Sequence, residues 1–437
     1  MRILHTSDWH LGVSLEQAPR DEEHQRFLSW LLDTIEDEAI DVLLVAGDVF
    51  HHSQPSARAQ ADYYGFLTRC ARQPSLRKVV IVGGNHDSAS RLDAPKEILD
   101  ALDVHVVGGV LAEQTSWERC LCPIYKPGSA REVEAVVVAV PYVHEARLGI
   151  VTTQFSESEI GARYAEGFER LYTHLADLAI ARFGDVALIA TGHLTCTAWD
   201  QPVNRADYNS EIHQVGSIGA LPITIFDERY SYVALGHIHQ CRQVGSGPIW
   251  YAGTPVATKI DESESPRQVL IVELDAANAV NVHVLAEVTQ LEVPVWREII
   301  VLAAPHDEIV ASLKALSSEA ELAPYIYIYV VAPGKVYVNA AIFETLLDER
   351  FEPARRPRIV DTKQRSVATA ARVRLVETRS HAALSTRTPE EVFCMLYALR
   401  HDHAPDETTL SAFRTLLSAT DDAAERAELE AVLGERS

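Results

Sequence analysis

The chain is 437 residues long, 47% hydrophobic, with a formal net charge of −23. That length can bury a large core and suggests about two or three domains. So negative a chain does not coat nucleic acid nonspecifically, which still leaves room for a nucleic-acid enzyme whose contacts are local or carried by cations. No apolar run reaches the ~20 residues of a membrane span. The amino terminus enters a strand without a hydrophobic signal region, so the expectation is a cytoplasmic protein with no membrane partner. Cys70, Cys120, Cys122, Cys196, Cys241 and Cys394 are scattered without a C-x-x-C pair and read as reduced thiols of no special role.

Residues 1–110 alternate strands and helices. Ile3-Leu4-His5 runs into Asp8-Trp9-His10, and Phe27, Leu28, Leu31, Leu32 and Ile35 then mark one face of a helix that ends before Asp41. A buried strand follows and stops at Gly47-Asp48. A helix through Tyr63, Tyr64, Phe66 and Leu67 comes next, its aromatics candidates for a dimer contact. Strand 79–82 runs into Gly84-Asn85-His86-Asp87, and Ile98, Leu99 and Leu102 suggest a short helix before strand 104–107. Such β-α-β alternation reads as an α/β domain.

Strand 136–140 and a long helix over 157–183 lead to the strand that ends at Gly192-His193. Residues 197–229 are polar and irregular, an excursion of the kind that shapes a site. Later strands end at Gly236-His237-Ile238-His239, pass through Ile249-Trp250-Tyr251, and occupy 268–274. They lack intervening helices, so this half is expected to form a mixed or antiparallel sheet. The fold class is therefore α/β, two facing mixed β-sheets flanked by helices, over a domain spanning 1–290.

Residues 291–376 read as a small α+β capping domain, with strand 298–302, helix 307–316 and strand 325–331. The alternating Tyr325, Tyr327 and Tyr329 suit sheet packing better than base stacking. Arg355, Arg356, Arg358, Lys363, Arg365, Arg372, Arg374 and Arg379 face few acids. This basic segment is either a solvated linker or a phosphate-backbone contact. Residues 377–437 form a helical tail, opened by a capping box with Thr388 at N-cap, Pro389 at N1 and Glu391 at N3. Val392, Phe393, Leu396 and Leu399, then Leu410, Phe413, Leu416 and Leu417, give two short apolar faces. These either fold back on the body or dock on another protein.

Five of the apolar runs deliver Asp, Asn or His at a strand end: Asp8 with His10, Asp48, Asn85, His193, and His237 with His239. Together they look like one metal site, with Asp48 the candidate for its centre. Carboxylate, amide oxygen and imidazole without thiolate suit a borderline divalent ion such as Mn²⁺.

The motifs D-x-H, G-D, G-N-H-D, G-H and G-H-x-H resemble those of the calcineurin-like metallophosphoesterases, and more closely those of the DNA-repair nucleases among them. The resemblance rests on His5-Thr6-Ser7-Asp8-Trp9-His10-Leu11-Gly12, Ala46-Gly47-Asp48-Val49-Phe50-His51 and Gly84-Asn85-His86-Asp87. It continues through Tyr232 to His239 and Tyr251-Ala252-Gly253-Thr254-Pro255, covering nearly all of residues 1–275. The polar excursion and the Cys120 region depart from the pattern.

The resemblance implies one cation held by Asp8, His10, Asp48 and His239, and a second by Asp48, Asn85, His193 and His237. Asp48 would bridge the two, and the pair would activate the water that attacks phosphorus. His86 would stabilise the pentavalent phosphate or protonate the leaving oxygen, with Asp87 orienting its ring. His51 would help place the DNA strand. The family's repair nucleases depend on Mn²⁺, act as exonucleases on duplex ends and endonucleases on single strands and hairpins, and pair as homodimers. Their carboxyl-terminal helices dock on an ABC-type ATPase. This chain has no G-x-x-x-x-G-K-[ST] loop, since Gly334-Lys335 is followed by Val336, so ATP dependence would come from that partner. The alternative is a dimetal phosphodiesterase or phosphatase of small nucleotides or phosphoesters. A non-catalytic scaffold is disfavoured by the intact ligand types.

Overall fold

A computed structural model describes residues 1–110, 114–148, 150, 157–198, 220–275, 286–332, 340–366, 393–394, 397 and 405–419. The chain divides into two compact units, Met1–Arg297 and Glu298–Ser437. Most of the polar excursion, the capping box at Thr388, and Arg372, Arg374 and Arg379 lie outside the described residues.

In the first unit, two six-stranded sheets pack face to face. One has the spatial order Glu287–Glu292, Gln268–Glu273, Arg2–Thr6, Val42–Ala46, Lys78–Val82, Val104–Val107. Its central strands Val42–Ala46 and Lys78–Val82 are apolar at nearly every position because both faces are covered, whereas the edge strand Glu287–Glu292 is mostly polar and exposed. Ile3, Val42, Leu44, Val80 and Val82 point into the cluster between the sheets. Leu4, Leu43, Val45, Val79 and Ile81 alternate with them and meet Phe27, Leu31, Phe66 and Leu67 of helices Asp21–Asp37 and Ala57–Cys70.

The strand Gln268–Glu273 departs from expectation. It joins this first sheet, antiparallel to Arg2–Thr6, with Ile271 opposite Leu4. Its own residues explain the placement: Val269 and Ile271 enter the outer cluster while Leu270 and Val272 enter the inner one. The neighbouring strand Glu287–Glu292 extends the same sheet past the position where the sequence pattern ended the domain.

The second sheet runs Arg242–Gln243, Ile249–Tyr251, Tyr230–Gly236, Ala187–His193, Val133–Val138, Leu121–Tyr125. The inner strands are parallel and both edge pairs antiparallel, so the sheet is mixed. Helix Glu157–Phe183 covers it through Phe168, Leu171, Tyr172 and Leu175. Because the inner strands of both sheets run parallel, their carboxyl ends bring Asp8, Asp48, Asn85, His193 and His237 to one edge of the sandwich.

Tyr63 and Phe66 are not available for a dimer contact, being 1% exposed each. Phe66 sits edge-on to Trp9 at 5.3 Å, and Tyr63 packs on Phe50 at 5.2 Å. The cysteines form no disulfide, and burial pushes the Cys120 and Cys122 thiols up to about 12, far from thiolate chemistry. Among the described residues, no helix is long and apolar enough to cross a membrane.

The second unit holds a three-stranded sheet in the order Arg297–Ala304, Leu322–Ala332, Arg358–Ser366. Ile326, Ile328 and Val330 face helices His306–Ala315 and Ala340–Asp348 through Ile309, Leu313, Phe343 and Leu347. Tyr325, Tyr327 and Tyr329, on the alternate positions, are buried too and offer no base-stacking platform. The described part of the basic segment is engaged within the unit. Arg356 pairs with Glu344 and Asp348, Lys363 with Asp361, and Arg355 donates to the Ala320 carbonyl. Arg358 lies over the Tyr325 ring. In the tail, the Phe393 ring stacks on Phe413 of helix Glu407–Ala419, with centroids 4.1 Å apart and planes 8° from parallel.

Candidate metal centre

Four of the seven expected ligands leave their strands in a conformation that ordinary residues avoid. Asp8, His10, Asp48 and His237 have φ values of 50°, 47°, 49° and 91°, in or near the left-handed region that L-residues occupy only when their surroundings over-determine it. The over-determination is visible. Asp8 N–H donates to Gly47 O at 3.0 Å, His10 N–H to Asp48 O at 2.9 Å, and Leu11 N–H to Val49 O at 2.9 Å. These bonds carry the pairing of two neighbouring parallel strands on into their loops.

The glycines that precede the ligands make room for side chains rather than merely permitting turns. A Cβ on Gly84 would stand 2.0 Å from Asp48 Oδ1, and one on Gly47 would stand 2.1 Å from His193 Nδ1. The strand-end pattern of glycine followed by ligand therefore has a packing cause.

The structure brings nitrogen and oxygen atoms of these side chains close together. His10 Nε2 lies 3.1 Å from His239 Nε2 and 3.7 Å from Asp48 Oδ2. His193 Nε2 lies 3.3 Å from Asp48 Oδ2 and 3.0 Å from Asn85 Oδ1, and His237 Nδ1 lies 3.1 Å from the same amide oxygen. Three groups of mutually close donors result among the described residues: Asp8 with His10 and His239, Asp8 with Asp48 and His193, and His10 with His51 and His86. Donors bound to one cation at ~2.1 Å on perpendicular axes stand ~3 Å apart, so these separations fit. Asp48 accepts the His86 N–H through Oδ1 at 2.9 Å, while its fully buried Oδ2 has no hydrogen-bond partner. A buried carboxylate oxygen left so is costly unless a cation meets it.

The electrostatics agree. Burial raises Asp48, but His193 and His10 beside it reverse the shift and hold it well below the usual carboxylate range. Burial opposes charge on His193, yet the Asp48 carboxylate dominates and pushes it up to about 10. The position between these side chains is thus one that favours positive charge. Burial, with His193 adding to it, takes His237 down to about 3, a neutral imidazole suited to ligation. Asp8 is pushed up to about 6 by burial, against the pull of His193 and His239.

His86 and His51 stand beside this group. His86 Nδ1 lies 2.9 Å from the His51 carbonyl, the two rings are near parallel at 5.5 Å, and His51 Nδ1 is 3.4 Å from His10 Nδ1. Asp87 does not orient the His86 ring. Its carboxylate accepts the N–H groups of Val49, Phe50 and Gly84 at 3.0, 2.9 and 2.9 Å. It ties the Asp48 loop to the Asn85 loop, and the His51 carbonyl takes the role expected of it.

Sequence reasoning passed over Glu262. Its Oε1 lies 2.8 Å from His239 Nδ1, and its Oε2 accepts from Thr258 N at 2.7 Å. Burial raises this carboxyl, but the bond to His239 outweighs it, and the group is held at about 2. The residue sits in a short 3₁₀ turn, Ile260–Glu264, outside every strand-end pattern. The local signal was a Thr258 hydroxyl placed to meet a carboxylate in a turn-forming segment.

The fold and the cluster of His and Asp side chains that could hold metal are together those of a metal-dependent phosphoesterase. The family model described as calcineurin-like phosphoesterase matches residues 1–241. The chain is similar to SbcD, the D component of the nuclease SbcCD, from Rhodobacter capsulatus, 32% identical over 80% of this chain and 84% of that one. It is also similar to the protein of that name from Escherichia coli K12, at 31% over 72% and 74%. The Bacillus subtilis protein is 31% identical over 62% of this chain and 66% of its own. The chain belongs to the SbcD group of the calcineurin-like phosphoesterase family, metal-dependent phosphodiesterases of the nuclease class.

Proposed function

We propose that this chain is the Mn²⁺-dependent nuclease subunit of a DNA repair complex, an exonuclease on duplex ends and an endonuclease on single strands and hairpins. Its partner is an SbcC-type ABC ATPase docked on the carboxyl-terminal helices, and two copies of the nuclease pair as a homodimer. The observation that carries the reading is the convergence of six further N and O side chains on the buried Asp48 carboxylate, whose Oδ2 accepts no hydrogen bond and lies 3.3 Å from His193 Nε2. Mixed imidazole, carboxylate and amide donors favour Mn²⁺ over Mg²⁺, which takes oxygen alone, and over structural zinc, which takes thiolate.

When bound, two divalent cations would supply Lewis-acid activation of a water and neutralise charge at the phosphoryl group. Asp8, His10 and His239 hold one side of the centre and Asn85, His193 and His237 the other, with Asp48 common to both. His86 donates its Nδ1–H to the His51 carbonyl, so that in the doubly protonated ring the Nε2–H is the proton passed to the leaving oxygen, leaving the neutral imidazole behind. His51, stacked beside it, positions the strand being cut. Asp87 keeps the two loops in register so that Asp48 and Asn85 stay within reach of one another.

One assay separates the nuclease from an enzyme of small phosphoesters. The purified protein is incubated with Mn²⁺ on blunt duplex DNA, on a hairpin and on an aryl phosphodiester, alone and with the ATPase. Cleavage of both DNA substrates is expected, faster with the ATPase and ATP. Hydrolysis of the aryl ester with inert DNA in both arms would sink the reading.

A further inference from the structure

The two sides of the centre are supported by different parts of the chain. His193 is held from behind by the Ala46 carbonyl, 2.9 Å from its Nδ1, a contact made by a strand end of the first sheet. Asp8 and His239 are held by the single segment 253–262. Thr254 Oγ1 donates to the Asp8 carbonyl at 2.8 Å, and Thr254 N–H donates to the His239 carbonyl at 3.1 Å. Ser7 bridges the Asp8 carboxylate and the Gly253 carbonyl, at 2.6 and 3.2 Å. The segment ends at Glu262, whose carboxylate is buried beside the imidazole of His239.

We propose that Glu262 is a positioning residue for His239: its 2.8 Å bond fixes Nδ1 as the protonated nitrogen and aims the Nε2 lone pair at the cation position shared with Asp8 and His10. A neutral imidazole has two tautomers, and only one presents its lone pair to the cation. A carboxylate on the far nitrogen selects that tautomer and makes the ligating nitrogen more basic. Glu262 is itself fixed, since its other oxygen accepts Thr258 N–H at 2.7 Å, Thr258 Oγ1–H at 3.1 Å and Lys259 N–H at 3.2 Å. The carboxylate cannot turn away without breaking all three. His193 is fixed by a neutral carbonyl instead, so the anion strengthens one cation position selectively. The two positions are built to differ in affinity, and Glu262 sets the difference.

This inference rests on the reading of the site as a two-cation centre, and the test keeps the two failures apart. Full-length wild type, Glu262→Gln and Glu262→Ala are titrated with Mn²⁺ by calorimetry, with electron paramagnetic resonance reporting isolated against spin-coupled ions. Metal-free melting temperature is recorded for each. Glutamine keeps the length and an acceptor but loses the charge, whereas alanine loses both. Wild type is expected to bind two Mn²⁺. The variants should weaken one by ~10–100-fold, alanine more than glutamine, and leave the other unchanged. At intermediate loading the variants show isolated Mn²⁺ where wild type shows the coupled pair. The assignment is overturned if both affinities are unchanged, or if both fall together in step with melting temperature, which is the behaviour of a purely structural Glu262. A wild-type protein that binds fewer than two Mn²⁺ overturns the two-cation reading instead.

Discussion

Asp48 Oδ2 is the atom from which the chemistry of this chain is most directly argued, because it is buried and without a hydrogen-bond donor while its sister oxygen accepts the His86 N–H. Asp48→Asn keeps the size and the acceptor for His86 but turns an amide N–H₂ towards the position that favours positive charge. The variant is expected to lose affinity for both cations by more than tenfold each, with the fold retained. Metal content after dialysis against Mn²⁺, read beside the circular dichroism spectrum, checks this; full occupancy would place the bridge on another residue. His86→Asn separates chemistry from ligation on the proposed reading, in which His86, whose ring lies beside those of His10 and His51, holds no cation. Metal content should persist while DNA cleavage falls by ~10²–10⁴-fold, the range for loss of a general acid. Asp48, Asn85, His193 and His237 were legible in the sequence because each follows an apolar run and a glycine; at Gly47 and Gly84 the close packing of His193 and Asp48 leaves no room for a Cβ. Asp87 was misread because adjacency in sequence says nothing of direction: one residue beyond His86, its carboxylate points to three amides behind the loop. Glu262 was invisible because its partner is remote in sequence and its turn has no periodicity.

Among the elements, helices Asp21–Asp37 and Ala57–Cys70 brace the loops of the centre at Trp9, whose carbonyl also meets His24 Nε2 at 2.8 Å, and at Phe50, which packs on Tyr63. Trp9, between the ligands Asp8 and His10, turns outwards, donates Nε1–H to Thr6 Oγ1 at 3.0 Å and lies edge-on between Phe27 and Phe66. The metal-bearing loop is thus anchored in the outer core. Phe66→Ala removes one wall of that anchor, and a fully buried Phe deleted from a close-packed core costs about 3–5 kcal/mol. The denaturation midpoint should drop by the corresponding amount at unchanged slope, since the surface exposed on unfolding hardly changes. A loss under about 1 kcal/mol would mean that the helices can close the gap and that Trp9 is held by Phe27 alone. Sequence periodicity found both helices, yet it offered Tyr63 and Phe66 as surface candidates because a helix pattern shows which residues share a face but not what covers that face. The strand Gln268–Glu273 was placed in the later half for a related reason. Its run is apolar on both sides, and which sheet receives such a strand is decided by space beside Arg2–Thr6, not by order along the chain.

At the scale of the whole molecule, the division of labour follows from where residues fall. Every ligand, Glu262 and the loops that brace them belong to Met1–Arg297. The later unit contributes a separate core, and of its described cations Arg356 pairs with Glu344 and Asp348 and Lys363 with Asp361. On the proposed reading, a chain of net charge −23 draws DNA chiefly through bound cations and a partner, because each phosphate contact requires an uncommitted positive group. On the same reading the tail, where Phe393 stacks on Phe413, recruits that partner. Removal of residues 380–437 should therefore leave Mn²⁺ binding and hydrolysis of an aryl phosphodiester within about twofold of the intact chain, a ratio worth less than 1 kcal/mol. Co-purification with the ATPase, and the stimulation of DNA cleavage that depends on it, should be lost. Pull-down with the ATPase and ester turnover, measured on the same preparations, decide the matter. Retained pull-down would move the docking surface to the nuclease unit, and lost ester turnover would mean that the later unit completes the centre.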